Sequence, residues 1–422
     1  MGRPIAIDLF AGCGGMSLGL EAAGFDIAAA VEFDAVHCLV HHHNFPYGVN
    51  ICRDIALVTA GEILRELNNK GYSNDIDLIA GGPPCQGFSL MGKRQLDDPR
   101  NSLVFEYVRM IRELKPKYFL FENVPGMRSG QHKKFLEELV REFETIGYYI
   151  EKPILVLDAS LYGAPQKRKR LIILGSRKDV KPVTYPFPCH FDIAELKQSN
   201  FSRKSVSNIA YKPPFTCGEA IDDLIDHAPY AVGEDRGIPA ELLDYSAPRK
   251  SYAINASGAF SLCHKRQVNN LVYGHIGSQH TEKSIKRFAD TVPGTVEKTS
   301  RFLRLSKTGL CNTLRAGTAS DKGAYTAPRP IHYALPRCIT VREAARLHTY
   351  PDWFEFHNTI WHGFREIGNS VVPLLAKALG EQIRAALNCS VEDLPIYELE
   401  PQDRKLIAYN LPQASRYLSA EK

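Results

Sequence analysis

The 422-residue chain lacks the features of several specialised protein classes. No segment approaches the roughly 20 consecutive apolar residues of a membrane-spanning helix, and the residues after Met1 have no signal-peptide core. The ten cysteines include no C-x-x-C pair and no paired spacing, which argues against a structural zinc site or a disulfide framework. Internal repeats and low-complexity tracts are also absent. We therefore expect a cytoplasmic protein that holds no metal.

Net charge is low as well, at +5, so charge permits a polyanionic partner without requiring one. The basic residues are unevenly distributed: Lys167-Arg168-Lys169-Arg170 is a dense cluster, and residues 249–307 carry Lys and Arg at short intervals. Such spacing suits contacts with phosphates, although a basic run alone is more often a solvated surface. The run His41-His42-His43 is interpreted as a solvated helix end rather than a metal site.

Short apolar segments that end in polar or glycine-rich turns predict buried strands in the first 175 residues. These segments are Ile5–Phe10, Ile27–Glu32, Asp77–Ala80 and Tyr118–Phe121. Apolar residues at helical spacing predict helices over 103–114 and 135–146. The alternation predicts an α/β fold with a Rossmann-like parallel sheet covered by helices on both faces. Ligands of such sheets bind at the carboxyl ends of the strands.

The alternation stops near residue 180, where prolines interrupt a polar stretch. Helical order returns at Thr340, which forms a T-x-x-E capping box with Glu343. A last helix is predicted from about Pro373 to Ala386, with the proline tolerated in its first turn. We divide the chain into a first domain (1–187), a smaller irregular domain (188–335), a return to the first domain (336–387) and a C-terminal extension (388–422) without a readable motif.

A glycine turn, Phe10-Ala11-Gly12-Cys13-Gly14-Gly15, separates the first strand from the first helix. It does not complete the dinucleotide pattern G-x-G-x-x-G, because Ser17 stands at the third glycine. Glu32 ends the second strand and could accept hydrogen bonds from ribose hydroxyls, and Asp54 could hold an adenine amino group. These features fit an adenosine-containing cofactor, but a plain turn with surface acids fits them equally well.

Cys85 follows two prolines at the end of a predicted buried strand and precedes a glycine-rich loop. A free cysteine is usually a small core residue, but this placement favours a presented nucleophile. Reaction requires the thiolate, which nearby cations such as Arg168 and Arg170 would promote. Glu122 ends the next apolar strand, so neighbouring parallel strands would bring it close to Cys85 as a proton donor.

Together these segments resemble the cytosine-C5 DNA methyltransferases of the bacterial modification type, in the family's order and over most of the chain. The matching segments are Asp8–Gly15, Pro83–Gln86, Glu122–Val124, Gln166–Arg170, Arg342–Leu347 with Tyr350–Asp352, and Gly368–Pro373. The resemblance implies S-adenosylmethionine as the cofactor and double-stranded DNA as the partner. It also implies methylation of C5 in a cytosine that is flipped out of the duplex.

The resemblance assigns roles to individual residues. Cys85 would add to C6, Glu122 would hold or protonate N3, and Arg168 and Arg170 would hold the base carbonyl and a nearby phosphate. The cofactor contacts would come from Phe10, Gly12, Gly14, Gly15, Glu32, Phe33, Asp54, Ile55, Pro84, Leu103, Asn369 and Val371. The DNA contacts would come from Gln86, Ser89, Met91, Lys93, Arg315 and Thr318.

By this resemblance, residues 188–335 correspond to the family's variable target-recognition domain. The first domain and its return segment together correspond to the family's catalytic domain. The loop 89–100 is expected to move and close over DNA. Met91 lies where some relatives carry a small polar residue that probes the gap left by the flipped base.

Three other functions are alternatives to DNA methylation. A transfer-RNA methyltransferase of the same superfamily usually has a short recognition domain, unlike the long segment between Gln166 and Arg342. A catalytically inactive DNA-binding relative would have lost Cys85, Glu122 or Asn369. A nicotinamide oxidoreductase is disfavoured by Ser17. We expect a monomer associated with the nucleoid, and consider a companion restriction endonuclease.

Overall fold

The structure is a computed structural model that describes residues 2–84, 102–130, 132–190, 212–245, 263–266, 270–317, 329–390, 394 and 396–420. Its centre is an eight-stranded sheet. The strands are β1 (Ile5–Leu9), β2 (Asp26–Glu32), β3 (Val49–Cys52), β4 (Leu78–Gly81), β5 (Tyr118–Asn123), β6 (Tyr148–Ile150), β7 (Leu155–Asp158) and β8 (Lys169–Arg177). Four short strands lie outside it: β9 (Ile238–Pro239), β10 (His264–Arg266), β11 (Leu271–Val272) and β12 (Tyr397–Leu399).

Helices flank this sheet and connect its strands. Those of the first domain are α1 (Gly15–Ala22), α2 (Ala35–Asn44), α3 (Ala60–Asn69), α4 (Ser102–Leu114) and α5 (His132–Thr145). The others are α6 (Cys217–Ile221), α7 (Glu282–Asp290), α8 (Val341–Leu347), α9 (Ile360–Asn369), α10 (Pro373–Leu387) and α11 (Leu411–Ala420). Among the described residues, no helix combines the length and the apolar character needed to cross a bilayer.

The sheet order is β3-β2-β1-β4-β5-β8-β6, with β7 also paired to β8. Strands β1 to β5 are parallel, as predicted. Strand β8, which the sequence patterns did not predict, runs antiparallel to β5, β6 and β7. The reason is the connection from β7 to β8, residues 159–168, which is too short for the helical crossover that a parallel pair needs.

The chain moves from β1 outward through β2 and β3, and from β4 outward through β5 on the other side. The boundary between β1 and β4 is therefore the switch point of the sheet, where a crevice opens beyond the carboxyl ends. Leu9 and Gly81, which end these two strands, are direct partners in the register. The glycine turn and the segment that leads to Cys85 both start at this edge.

Alternating residues of the strands feed two separate cores. Ile7 and Leu9 of β1 pack with α3, α4 and α5 on one face of the sheet. Ala6 of the same strand packs on the other face with α1 and α10. The capping box of Thr340 and Glu343 begins α8, and Pro373 is the first residue of α10. Both predictions for the return segment are thus confirmed.

The described parts of the irregular domain contain only short elements, and the domain boundaries stay predictions. The C-terminal extension, for which the sequence predicted nothing, packs on the first domain. Ala414 and Leu418 of α11 are buried against Ala35 and Leu39 of α2. In addition, β12 pairs in parallel with β10.

The histidine run at the end of α2 is not solvated as predicted. His41 and His43 are buried, and His41 hydrogen-bonds through Nε2 to Ser17 Oγ (2.9 Å) and through Nδ1 to Asn50 Oδ1 (2.6 Å). Burial lowers the pKa of His41 to about 4, so the ring is neutral at pH 7. The polarity of the run suggested exposure, but α2 packs His41 against the glycine turn and places His43 Nε2 3.8 Å from Glu355 Oε1.

Helices α1 and α10 approach each other where both have small residues. A Cβ on Gly19 would overlap Ala376 Cβ and the carbonyl oxygen of Pro373, and one on Gly380 would lie 2.7 Å from Ala23 Cβ. Glycine is therefore required for the return segment to dock on the first helix.

Replacing Gly19→Ala should lower the free energy of unfolding by about 1–3 kcal/mol, because the added methyl group overpacks this contact. The matched control is Gly61→Ala on α3, where a Cβ would meet nothing within 4 Å. That change should stabilise the protein by up to about 1 kcal/mol through helix propensity. Urea denaturation of both variants checks the pair, and equal effects would contradict the proposed contact.

Candidate active site

The glycine turn has a left-handed backbone at three positions: Phe10 (φ 62°), Gly12 (φ 57°) and Gly14 (φ 104°). A Cβ on Gly14 would lie 2.5 Å from the Phe45 ring, so this glycine is needed for packing. A Cβ on Gly12 would meet nothing within 4 Å. The turn therefore exposes backbone to open space at Gly12, as a ligand seated on it requires.

Ser17, which breaks the dinucleotide pattern, anchors the turn to the sheet. Its N–H (3.0 Å) and its hydroxyl (2.6 Å) both donate to Asp8 Oδ2 at the end of β1. Burial raises the pKa of Asp8 to about 7, and the two hydrogen bonds from Ser17 oppose that rise. A glycine at this position would provide only the backbone donor.

Glu32, at the end of β2, faces the same turn. The Gly12 N–H donates to its Oε2 and the Asp34 N–H to its Oε1, both at 2.8 Å. Burial raises the pKa of Glu32 above its usual value. Each carboxylate oxygen can accept a second hydrogen bond, so Glu32 can bind ribose hydroxyls while it holds the turn. The neighbouring Phe33 ring is 75% exposed, and thus offers an apolar surface to a flat ligand.

A third segment that contributes predicted cofactor contacts, after the glycine turn and the end of β2, follows β3. Asp54 Oδ1 accepts the N–H of Ala56 (3.0 Å), which caps a short 3-10 turn. The Ile55 side chain is buried, and its carbonyl oxygen accepts a hydrogen bond from Arg109 Nη2 (3.0 Å). A ligand could therefore contact Ile55 only through its main chain. Leu103, on α4, packs against the core on this face of the sheet.

The return segment closes the other side of the turn. A Cβ on Gly15 would lie 2.6 Å from Tyr350 Oη and would overlap the carbonyl oxygen of Val371. The space beside the Gly15 Cα is thus filled by protein, so this position requires glycine for packing; its predicted cofactor contact stays a prediction. Asn369 is exposed, whereas Val371 is buried.

Glu122 and Arg170 form an ion pair at the ends of β5 and β8, with 2.6 Å between Arg170 Nε and Glu122 Oε1. The side chains keep 14% (Arg170) and 12% (Glu122) of their exposure, so the pair is largely desolvated. The other oxygen lies close to the residue that follows β4, because a Cβ on Gly82 would lie 2.7 Å from Glu122 Oε2. The adjacent Asn123 Nδ2 donates to the carbonyl oxygen of Pro83 (3.1 Å). The chain is therefore fixed beside Glu122 two residues before Cys85.

Arg168 does not face this pair, and its predicted role at the base or phosphate is corrected. Its guanidinium is 2% exposed and donates only to main-chain carbonyls: Nη1 to Leu314 (2.7 Å), and Nη2 to Gly368 (2.8 Å) and Ser370 (2.9 Å). It therefore joins β8 to the end of the irregular domain and to the return segment. The basic cluster is divided accordingly, with Lys167 and Lys169 exposed to solvent.

Gln166 makes a second connection between the same segments. Its Oε1 accepts the Leu314 N–H (3.0 Å), and its Nε2 donates to the Leu347 carbonyl oxygen (3.2 Å). Residues 313–317 consequently run over Gly368, where an added Cβ would lie 2.5 Å from the carbonyl carbon of Arg315. The Arg315 side chain is exposed above this contact.

Several predicted site residues lie outside the described residues: Cys85, Gln86, Ser89, Met91, Lys93 and Thr318. Pro84, the last described residue before them, is exposed. The assignments of these side chains stay predictions.

Comparison with known proteins gives a consistent result. The family profile described as C-5 cytosine-specific DNA methylase matches residues 5–385. The Type II methyltransferase M.XorII of Xanthomonas oryzae is 46% identical over 98% of this chain and 92% of its own length. M.DdeI of Desulfomicrobium norvegicum is 32% identical, over 89% of this chain and 88% of its own.

Among solved structures, a DNA modification methyltransferase encoded within an E. coli prophage matches with a TM-score of 0.70 and 32% identity. The match covers 92% of this chain and all of that one. The S. pombe Dnmt2 methyltransferase, at 18% identity and a TM-score of 0.54, covers 92% of this chain and 100% of its own, and shares the fold.

The chain belongs to the C-5 cytosine-specific DNA methylase family. It is a DNA cytosine-5-methyltransferase, and its methyl donor is S-adenosylmethionine. The nicotinamide oxidoreductase alternative is therefore wrong.

Sequence reasoning missed two positioning residues of the methylase, Asn123 and Gln166, although both lie in segments that carried the resemblance. A signal for Arg168 and Arg170 was present in the Q-x-R-x-R spacing. In an extended segment, alternate residues point the same way, so the two arginines face inward while Lys167 and Lys169 face solvent.

Replacing Arg168 by alanine should mainly lower stability, whereas replacing Arg170 by alanine should mainly lower activity. Arg168→Ala removes the donor that three main-chain carbonyl groups share, of which the Ser370 carbonyl keeps a contact with His348 Nε2 (3.2 Å), and should lower the free energy of unfolding by about 2–4 kcal/mol. Arg170→Ala should cost much less stability, but should lower kcat about 10²–10³-fold, because Glu122 loses its orienting cation.

Urea denaturation and methyl-transfer kinetics on both variants separate the two roles. Lys169→Ala, between them in sequence but exposed, is the control and should change neither quantity. Loss of activity in Arg168→Ala at full wild-type stability would contradict the structural role.

Proposed function

We propose that this methylase transfers a methyl group to C5 of a cytosine flipped out of a specific double-stranded DNA sequence, through a covalent bond between Cys85 and C6. The Glu122–Arg170 pair carries the proposal, because it lies beside the segment that leads to Cys85. The pair also adjoins the crevice at the switch point of the sheet.

Flipping is required because the reactive atoms of a stacked, paired base are inaccessible. The Cys85 thiolate adds to C6, and the electron pair of the C5–C6 double bond becomes available at C5. C5 then takes the methyl group, which S-adenosylmethionine supplies. Loss of the C5 proton to a base leaves the electrons of the C5–H bond to re-form the C5–C6 double bond, and the Cys85 thiolate departs from C6 with the electrons of the S–C6 bond.

Glu122 provides the charge stabilisation that this addition needs. Addition to C6 builds negative charge in the ring, and a proton held at N3 reduces it. Arg170 occupies Oε1 of Glu122 and leaves Oε2 directed toward Gly82. Arg170 would also reach the base carbonyl, as the family resemblance implies. Asn123 acts as a positioning residue, since it holds the Pro83 carbonyl oxygen.

The residues at the glycine turn fit the methyl donor. Open space lies over Gly12, Glu32 retains acceptor capacity, and the Phe33 ring is exposed at the end of β2. Gly12 would face the part of S-adenosylmethionine that lies against the protein main chain, Glu32 would bind the ribose, and the Phe33 ring would contact the adenine. Asp54 would hold the adenine amino group, and the exposed Asn369 would complete the pocket from the return segment.

Fewer of the described residues support the proposed contacts with DNA. Arg315 is exposed at the end of the target-recognition domain, on the segment that Arg168 and Gln166 hold against Gly368. We assign it to a phosphate or base contact. Because the relatives are named Type II methyltransferases, we also propose a monomeric enzyme with a companion restriction endonuclease.

Base-resolution 5-methylcytosine sequencing of DNA from cells that express the wild type should show one recurrent methylated motif. Cys85→Ala should abolish this methylation, because the variant lacks the thiolate that adds to C6. Glu122→Gln should retain the fold and lower kcat about 10²–10⁴-fold. Equal methylation with the wild type and Cys85→Ala would overturn the role of Cys85.

A duplex that carries 5-fluorocytosine at the target tests the covalent step directly. Fluorine cannot leave C5 as a cation, so the adduct persists and the protein should stay on the DNA in denaturing gels. Cys85→Ala should give no such band. With labelled S-adenosylmethionine, label that appears only in transfer RNA and never in duplex DNA would favour the RNA alternative.

A further inference from the structure

Three buried or partly buried side chains meet between α2 and α9, on the side of the glycine turn away from Glu122. They are His37 on α2, and His362 and Glu366 one turn apart on α9. One ligand-type atom of each lies within 4.8 Å of the others. His37 is 4% exposed and Glu366 is 1% exposed, so water has little access to the cluster.

Each of the three residues has one buried polar atom without a hydrogen-bond partner among the described residues: His37 Nε2, His362 Nδ1 and Glu366 Oε1. Buried polar atoms are nearly always satisfied in folded proteins. Three such atoms on side chains of one cluster point to a shared partner. By contrast, nearby His357 contacts Thr359 Oγ1 (3.0 Å) and the Tyr409 carbonyl oxygen (3.2 Å) through its two ring nitrogens.

The surrounding groups support a cationic partner. Glu366 Oε2 accepts the His357 N–H (3.1 Å), but no arginine or lysine of the described chain forms an ion pair with this carboxylate. An unpaired buried carboxylate is costly. Asp34 Oδ2 lies 4.0 Å from His37 Nδ1 and 4.0 Å from Arg365 Nη2. A carboxylate behind the outer nitrogen of a histidine is the usual second shell of a metal ligand.

We propose that His37 Nε2, His362 Nδ1 and Glu366 Oε1 bind one divalent first-row transition metal ion, with zinc as the probe. Two imidazoles and one carboxylate form a common three-ligand set for zinc, with water at the fourth position. Ligand distances of about 2.0–2.2 Å put such atoms about 3.4 Å apart, so the cluster closes by small side-chain rotations. This site is separate from methyl transfer and does not depend on the proposed mechanism.

The ion would connect two segments that border the cofactor pocket. Helix α2 begins at Asp34, whose N–H donates to Glu32 Oε1, and α9 ends at Asn369. No metal site was predicted from the sequence, because these ligands do not form a local motif: His37 and His362 come from opposite ends of the chain. A buried water molecule bridging the three atoms is the competing explanation.

Elemental analysis and zinc titration of the full chain, after dialysis against chelator, test the site. The wild type should bind one equivalent of zinc more than Glu366→Gln or His362→Asn, and its Tm should rise by a few degrees with zinc. Removing one ligand should weaken zinc binding at least about 100-fold. His42→Asn, on the same helix but outside the cluster, should bind zinc like the wild type.

Substituting Co²⁺ should give the visible absorption of a low-symmetry site in the wild type and in His42→Asn only. A wild type that takes up no zinc or cobalt would overturn the proposal in favour of water, whatever the variants do. Equal zinc stoichiometry in the wild type and Glu366→Gln would also overturn it, and would place the ion elsewhere, such as at Asp26, Cys263 and His264.

Discussion

The buried guanidinium of Arg168 is the interaction on which the rest of the structure depends. It binds main-chain carbonyl oxygens of Leu314, Gly368 and Ser370, and so joins the sheet to the end of the irregular region and to the return segment. A guanidinium has five donors in one plane, which suits several carbonyl groups at once. Because its partners are main-chain atoms, the geometry does not depend on neighbouring side chains.

The proposed catalytic groups and the proposed cofactor groups both derive their positions from strand ends. Glu122 lies one residue before the end of β5 and Glu32 ends β2, while the glycine turn and the Pro83 segment start beyond β1 and β4. Parallel strands bring these ends to one edge. Glu122 lies on β5, whereas Arg170 lies on β8, which runs antiparallel to β5. This antiparallel direction places the first residues of β8, including Arg170, beside Glu122 near the end of β5.

Much of this was predictable from sequence. The parallel strands, the glycine turn, Glu32, the capping box at Thr340 and the helix at Pro373 follow from local patterns, and the structure contains them. Local patterns failed where a residue's role depends on a distant segment. Arg168 was assigned to the base or a phosphate, but two of its partners, Gly368 and Ser370, come from the far end of the chain. The histidine run was assigned to solvent, because polarity does not reveal which helix packs over it.

The contact between α1 and α10 has a consequence for synthesis of the enzyme. Gly19 and Ala376 touch in the folded protein, yet the ribosome adds everything between Ala22 and Pro373 after the first helix has emerged. At about 5–20 residues per second, that interval lasts roughly 20–70 s. During it, one face of the nascent sheet lacks the part of its cover that α10 provides. Incomplete chains released from ribosomes would therefore present an apolar face to chaperones until α10 has been made.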